Sequence, residues 1–249
     1  MKIRDSTYYL CGEMKNESGK IDLIITDVGG VLVKTDEAII MCIQRVVSEK
    51  GIPDGSVEAI YNVFGVSIQD YIRAYLPIGY EERADECYRD FRRIYPSQVL
   101  HLLRPFEGVD ETLEYLKSHG IHIAALSCMR QNEMEANLAL LRFRGFDAKF
   151  SIDDYGEEHK RPDPEGLLRL MKTFEARPEA TIYVGDTPSD IQMAKNAKVI
   201  SVAVTTGAIN KALLKGENPD YFVDSFRDIP REVLPKLLDL SYKTRICSP

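Results

Sequence analysis

The 249-residue sequence predicts an α/β fold, a mostly parallel sheet interrupted by a helical insertion after its first strand. Three observations carry this. Residues 22–27 form a short apolar run ending in an acid, the pattern of a buried strand. From about Ala38 to Arg104 the periodicity turns helical. After Pro105, short apolar runs alternate with amphipathic segments across short links, as in βαβ units.

Within the insertion, Ile68, Tyr71, Ile72, Tyr75 and Leu76 fall on one helical stripe. Gly51-Ile52-Pro53-Asp54-Gly55 and Leu76-Pro77-Ile78-Gly79 break it into several helices. Tyrosines are frequent between Tyr61 and Tyr95, and helical spacing assigns most of them to the core of the insertion. Beyond Pro105, residues 110–119 read as a helix stopped by Gly120, 121–127 as a strand, and 133–143 as a helix stopped near Gly145. Residues 148–152, 181–185 and 199–205 read as strands, and 164–174 and 189–197 as helices. An insertion directly after the first strand lies at the carboxyl edge of the sheet. Ligands bind there in open α/β folds, so the insertion can act as a lid.

Composition narrows the function. The chain is 44% apolar and 29% charged, enough for a sizeable core. Its net charge of −7 argues against nucleic acid or an anionic membrane as a partner, since both favour basic surfaces. No apolar run reaches the length of a membrane span, and the first 20 residues lack the apolar segment of a secretory signal. Cys11, Cys42, Cys87, Cys128 and Cys247 are scattered without a CxxC pair, as expected of reduced thiols in a cytoplasmic protein. Oligomeric state leaves no legible signal.

Four strand ends carry reactive residues: Asp27, Ser127, the loop with Lys160 and Arg161, and the pair Asp186 and Asp190. In a parallel sheet these ends share one edge. The set suits phosphoryl transfer through a carboxylate nucleophile. Asp27 and Asp186 supply carboxylates for Mg²⁺, which offsets the repulsion between a carboxylate and a phosphate. Ser127 and the amides at the helix start that follows it can hold phosphate oxygens, and Lys160 or Arg161 can neutralise them. Taken singly, each has a plainer explanation. A strand-end Asp is often a turn residue, Ser127 suits a helix cap, Asp190 can close a capping box with Thr187, and Lys160 and Arg161 can be solvated charges.

The residues resemble the four motifs of the haloacid dehalogenase (HAD) superfamily of phosphohydrolases, over residues 21–225. IITDVGGVL resembles motif one, IAALS motif two, HKRPDP motif three, and VGDTPSD motif four. The helical insertion resembles a C1-type cap of the phosphoglycolate phosphatase-like kind. The resemblance implies a Rossmann-like, doubly wound parallel sheet core over residues 21–35 and 105–249, an all-helical cap over 36–104, and an N-terminal extension over 1–20. It implies a Mg²⁺-dependent phosphatase of small phosphorylated metabolites. Asp27 would be the nucleophile, with Arg161 or Lys160 as the catalytic cation. The phosphate would meet Ser127, Cys128, Gly29 and Gly30. The metal would be held by Asp27, the Gly29 carbonyl and Asp186, with Asp190 in support.

Gly29 departs from the family pattern, which usually has an acid there to protonate the leaving group. Three consequences are open. The substrate can carry a good leaving group. A cap or loop acid can supply the proton, with Asp36 and Glu37 the nearest. Or the chemistry is not ester hydrolysis: a dehalogenase, a phosphonatase with Lys50 as its Schiff-base lysine, or a phospho-ligand or partner-binding protein with little turnover.

Overall fold

The computed structural model describes residues 20–237, except 64, 66, 99, 100, 208 and 210. The expected extension over 1–20 therefore lies, but for Lys20, outside the described residues, as do Cys11 and Cys247.

Strand β1 (Leu23–Thr26) is buried along its whole length. A short ribbon follows, made of β2 (Val33–Lys34) and β3 (Arg104–Pro105), paired antiparallel. Between them run the helices of the insertion: α1 (Asp36–Glu49), α2 (Val57–Tyr61), α3 (Ile68–Tyr75) and α4 (Ala84–Gln98). The ribbon is the two-stranded stem by which the insertion leaves and rejoins the sheet. The α/β half continues with α5 (Val109–Ser118), β4 (His122–Leu126), α6 (Gln131–Leu138), β5 (Ala148–Phe150), α7 (Ile152–Tyr155) and α8 (Glu165–Thr173). It ends with β6 (Thr181–Gly185), α9 (Pro188–Ala197), β7 (Ile200–Val204), α10 (Lys211–Gly216), β8 (Tyr221–Val223) and α11 (Ile229–Glu232).

The six-stranded sheet has the order β5-β4-β1-β6-β7-β8, with every pair parallel. The chain order thus reverses direction beside β1, which places the ends of β4, β1 and β6 at the topological switch point. Leu23 and Ile25 face one apolar cluster and Ile24 the other, so helices cover both sides. Each fully buried side chain of this kind contributes about 1.5–3 kcal/mol.

The structure differs from expectation at several elements, among them α6, the strand at 148–152 and the last strand. Helix α6 stops at Leu138 rather than Phe143. Tighter bonds close its last turn (Leu140 N–H to Asn137 O, Leu141 N–H to Leu138 O), and Asp110 Oδ1 captures the next free N–H groups, of Arg142 and Phe143. The strand expected at 148–152 ends at Phe150 because Ser151 and Asp154 form a capping box that starts α7. Strand β8 extends the sheet past the last strand expected from sequence.

Candidate active site

The carboxyl ends of β1, β4 and β6 carry Asp27, Ser127 and Asp186 into one cavity, which Arg161 also lines. The loop after β5 and α7 brings Arg161 back under β1. Its Nη1 lies 2.8 Å from Asp27 Oδ2 and its Nη2 2.7 Å from Oδ1. Nη1 also lies 2.9 Å from Asp190 Oδ1. This fork is geometry that guanidinium offers and ammonium does not. Lys160, the other cation considered, does not line the cavity. Its Nζ sits 3.5 Å from Ser67 Oγ on the insertion.

Asp190 is fully buried and is held by protein donors on both oxygens. Tyr183 and Arg161 reach Oδ1, while Asp186 N–H, Thr187 N–H and Thr187 Oγ1 reach Oδ2. It is grouped with Asp27 and Asp186 by proximity, but its lone pairs are largely taken. Its work is to fix Arg161 and the Asp186 backbone.

Asp186 has the opposite character. Its Oδ1 is buried without a hydrogen-bond partner among the described residues. Glycines surround the carboxylate: a Cβ on Gly30 would come 2.1 Å from Oδ2, and one on Gly207 would come 1.8 Å from the same atom. Burial, reinforced by the charges of Asp190 and Asp27, pushes the Asp186 carboxyl well above the usual carboxylate range. Asp27 is also raised, by burial and Asp190, against the pull of Arg161. Arg161 is held strongly protonated, because Asp190 and Asp27 outweigh its own burial.

Ser127 is buried at the end of β4, with its N–H on Phe150 O and its Oγ accepting from Met129 N–H at 3.2 Å. It begins a tight turn and does not cap α6, which starts at Gln131. Cys128 lines the cavity, and Tyr155 Oη lies 3.6 Å from its Sγ.

The sequence profile described as "Haloacid dehalogenase-like hydrolase" matches residues 24–204, well over half of the chain. The chain belongs to the haloacid dehalogenase-like hydrolase family. Pyrophosphatase PpaX of Bacillus mycoides (strain KBAB4) is 29% identical over 211 residues, covering 84% of this chain and 95% of that protein. PpaX of Bacillus cereus (strain Q1) is 27% identical over 223 residues, covering 89% and 99%. Among solved structures, a haloacid dehalogenase-like hydrolase from Streptococcus pneumoniae superposes with a TM-score of 0.72 at 20% identity, over 84% of this chain and 97% of that one. A protein from Haemophilus somnus 129pt, described as a predicted phosphoglycolate phosphatase, gives 0.73 at 19%, over 86% and 99%. These two likenesses speak to the fold.

In this HAD-like hydrolase the helical insertion closes over the site. Gly65 O accepts from Ser189 Oγ at 2.9 Å, and Gly65 N–H donates to Tyr71 Oη at 2.7 Å. Gly65, Ser67, Ile68 and Tyr71 line the same cavity as Asp27, whose volume is about 60 Å³. These insertion residues, with Thr206 and Gly207 at the end of β7, were not anticipated from sequence. The last two had a signal, VAVTTG, in which a fifth strand ends in hydroxyls and a glycine. Thr206 Oγ1 donates to Gly30 O at 2.6 Å and so ties that strand end to the Asp27 loop.

The donor set fits a divalent cation. Two buried carboxylates converge within 4.8 Å, one has an unpartnered oxygen, and the glycine cradle leaves room for no side chain. Lys50, the lysine considered for a Schiff base, pairs instead with Asp90 at 2.7 Å and does not line the cavity. Among the described residues no helix is long and apolar enough to cross a membrane.

Proposed function

We propose that this chain is a Mg²⁺-dependent phosphatase of small phosphorylated metabolites that works through an aspartyl-phosphate on Asp27. The observation that carries the reading is the pairing of Asp27 with the buried Arg161 fork beside Asp186, whose Oδ1 has no hydrogen-bond partner among the described residues and whose Oδ2 lies against Gly30 and Gly207. Asp27, Asp186 and the Gly29 carbonyl would hold the cation, which offsets charge between the carboxylate and the phosphoryl group. Asp27 attacks phosphorus, and the leaving group departs with the bonding electrons. Ser127 Oγ and the Cys128 amide hold phosphoryl oxygens, while Arg161 favours the ionised form of Asp27 and aims it; the Gly30 amide, expected at the phosphate, donates instead to Val33 O at 2.9 Å.

A phosphatase without an acid at position 29 suits substrates whose leaving groups need little protonation: acyl phosphates, sugar 1-phosphates and phosphoanhydrides. The names of its relatives agree with this, since pyrophosphate is a phosphoanhydride. A small cavity matches a compact substrate. The reading places the enzyme in the cytoplasm, where Cys42, Cys87 and Cys128, free in the structure, stay reduced.

Gly29 favours a second reading, a phospho-ligand binder with little turnover. Purified protein is assayed with acetyl phosphate, glucose 1-phosphate, pyrophosphate and para-nitrophenyl phosphate, with Mg²⁺ or with EDTA. Turnover that EDTA and Asp27→Asn both abolish supports the phosphatase. Ligand binding without turnover of any of the four supports the binder.

A further inference from the structure

The volume that a side chain at position 29 would enter is already taken. A Cβ there would lie 2.9 Å from Thr35 Oγ1 and 3.2 Å from Met129 Cε. Thr35 is buried and stands at the N-cap of α1, yet its side chain makes no cap hydrogen bond, and it lines the cavity. The next residue, Asp36, opens α1 and lines the same cavity. Glu37, its neighbour in sequence, leaves the site: it pairs with Lys34 at 2.6 Å and its side chain is 68% exposed. The turn from β2 into α1 thus aims one acid at the cavity that holds Asp27, and aims the other at solvent.

We propose that Asp36 is the proton-accepting group of the dephosphorylation half-reaction, in place of a carboxylate at position 29. The proposal rests on the phosphatase reading above. It divides the chemistry unequally. The first half-reaction, transfer of the phosphoryl group to Asp27, proceeds without protein acid because the leaving group is stable as it departs. The second half-reaction cannot use that route, since water is a poor nucleophile until a base takes its proton. Water oxygen bonds to phosphorus and the bond from phosphorus to the Asp27 oxygen breaks. The electron pair stays on the Asp27 carboxylate, one water proton passes to Asp36, and hydrogen phosphate departs. Asp36 then returns the proton to solvent. Thr35 Oγ1, beside Gly29, is placed to hydrogen-bond the incoming water.

The test separates the two half-reactions. Acetyl phosphate with Mg²⁺ is mixed with wild-type full-length chain and with Asp36→Asn. Acetate release is followed before the steady state, and intact-protein mass spectrometry follows the phosphoryl group. Asp36→Asn is expected to release acetate rapidly in an amount matching the enzyme. It then turns over about 10²–10⁴-fold more slowly than wild type, with a phosphoryl group accumulated on the chain. Asp36→Glu should recover part of the steady-state rate, and Glu37→Gln should match wild type. Asp36→Asn turning over at the wild-type rate overturns the proposal. So does slow turnover by Asp36→Asn in which acetate release is equally slow and no phosphoryl group accumulates. An inert wild-type chain would instead defeat the phosphatase reading itself.

Discussion

Arg161 grips both oxygens of Asp27, at 2.8 and 2.7 Å, from a position 134 residues further along the chain. Arg161 is 7% exposed and Asp27 5%. Breaking a buried pair by removing one partner costs about 3–5 kcal/mol, because the other charge stays behind. Arg161→Met leaves both Asp27 and Asp190 uncompensated. It should lower stability in urea denaturation by that order and abolish turnover. Arg161→Lys should keep most of the stability and still lose activity, since one ammonium cannot reproduce the fork.

Asp186 gives a metal-dependent signature that needs no substrate. Its raised proton affinity comes first from burial and then from the charges of Asp190 and Asp27. A bound cation relieves all three. Mg²⁺ at 100 times its Kd should stabilise the wild type by about 2.7 kcal/mol, read as a rise in Tm. Asp186→Asn should show a higher Tm than wild type without metal and little further rise when Mg²⁺ is added.

Gly65 tests the closure over the site. Its φ is +94°, and a Cβ would lie 2.5 Å from Thr187 Oγ1. Gly65→Ala should push the backbone at position 65 off the Ser189 hydroxyl and lower kcat/KM by about 10–100-fold. Gly51→Ala provides the control. It carries the same kind of backbone strain, φ +64°, with nothing within 4 Å of the added carbon, and should leave kcat/KM unchanged.

Glu133 predicts a pH effect away from the site. The residue is 2% exposed, and burial lifts its carboxyl above the ordinary value, against the hydrogen bond from Arg130 N–H. The folded chain therefore keeps this proton to a higher pH than the unfolded chain, and folding takes up a proton in between. Glu133's contribution to stability falls as pH rises from the ordinary glutamate range through the raised value, then stays constant. Glu133→Gln removes that contribution. Its stability relative to wild type should grow across this window in urea denaturation between about pH 4 and pH 8.

Much of the site was legible because its residues sit directly after apolar strands. Asp27, Ser127 and Asp186 each end a run that only a buried strand explains, and parallel strands must share an edge. Arg161 and Lys160 were not separable in this way. They are neighbours in one loop, and the direction each side chain takes depends on how the backbone turns before Pro162. The motif reading gave Asp190 a supporting part at the metal site; which groups it would hold was not legible, and its oxygens meet Tyr183, Arg161 and Thr187. The helices of the insertion were readable from period. Which of their residues meet the sheet was not, since Gly65 and Tyr71 reach the cavity through packing between segments far apart in sequence. Short elements escaped for a different reason: α7 is set by one Ser151–Asp154 cap rather than by any repeat.

The central claim is that Asp27 itself carries the phosphoryl group. Wild-type chain mixed with acetyl phosphate and Mg²⁺ is quenched within milliseconds and reduced with borohydride, which converts an aspartyl-phosphate into homoserine. Peptide mapping should then find homoserine at position 27, and none when EDTA is present. Aspartate intact at position 27 in chains that are turning over, with homoserine at another position or at none, would contradict the account.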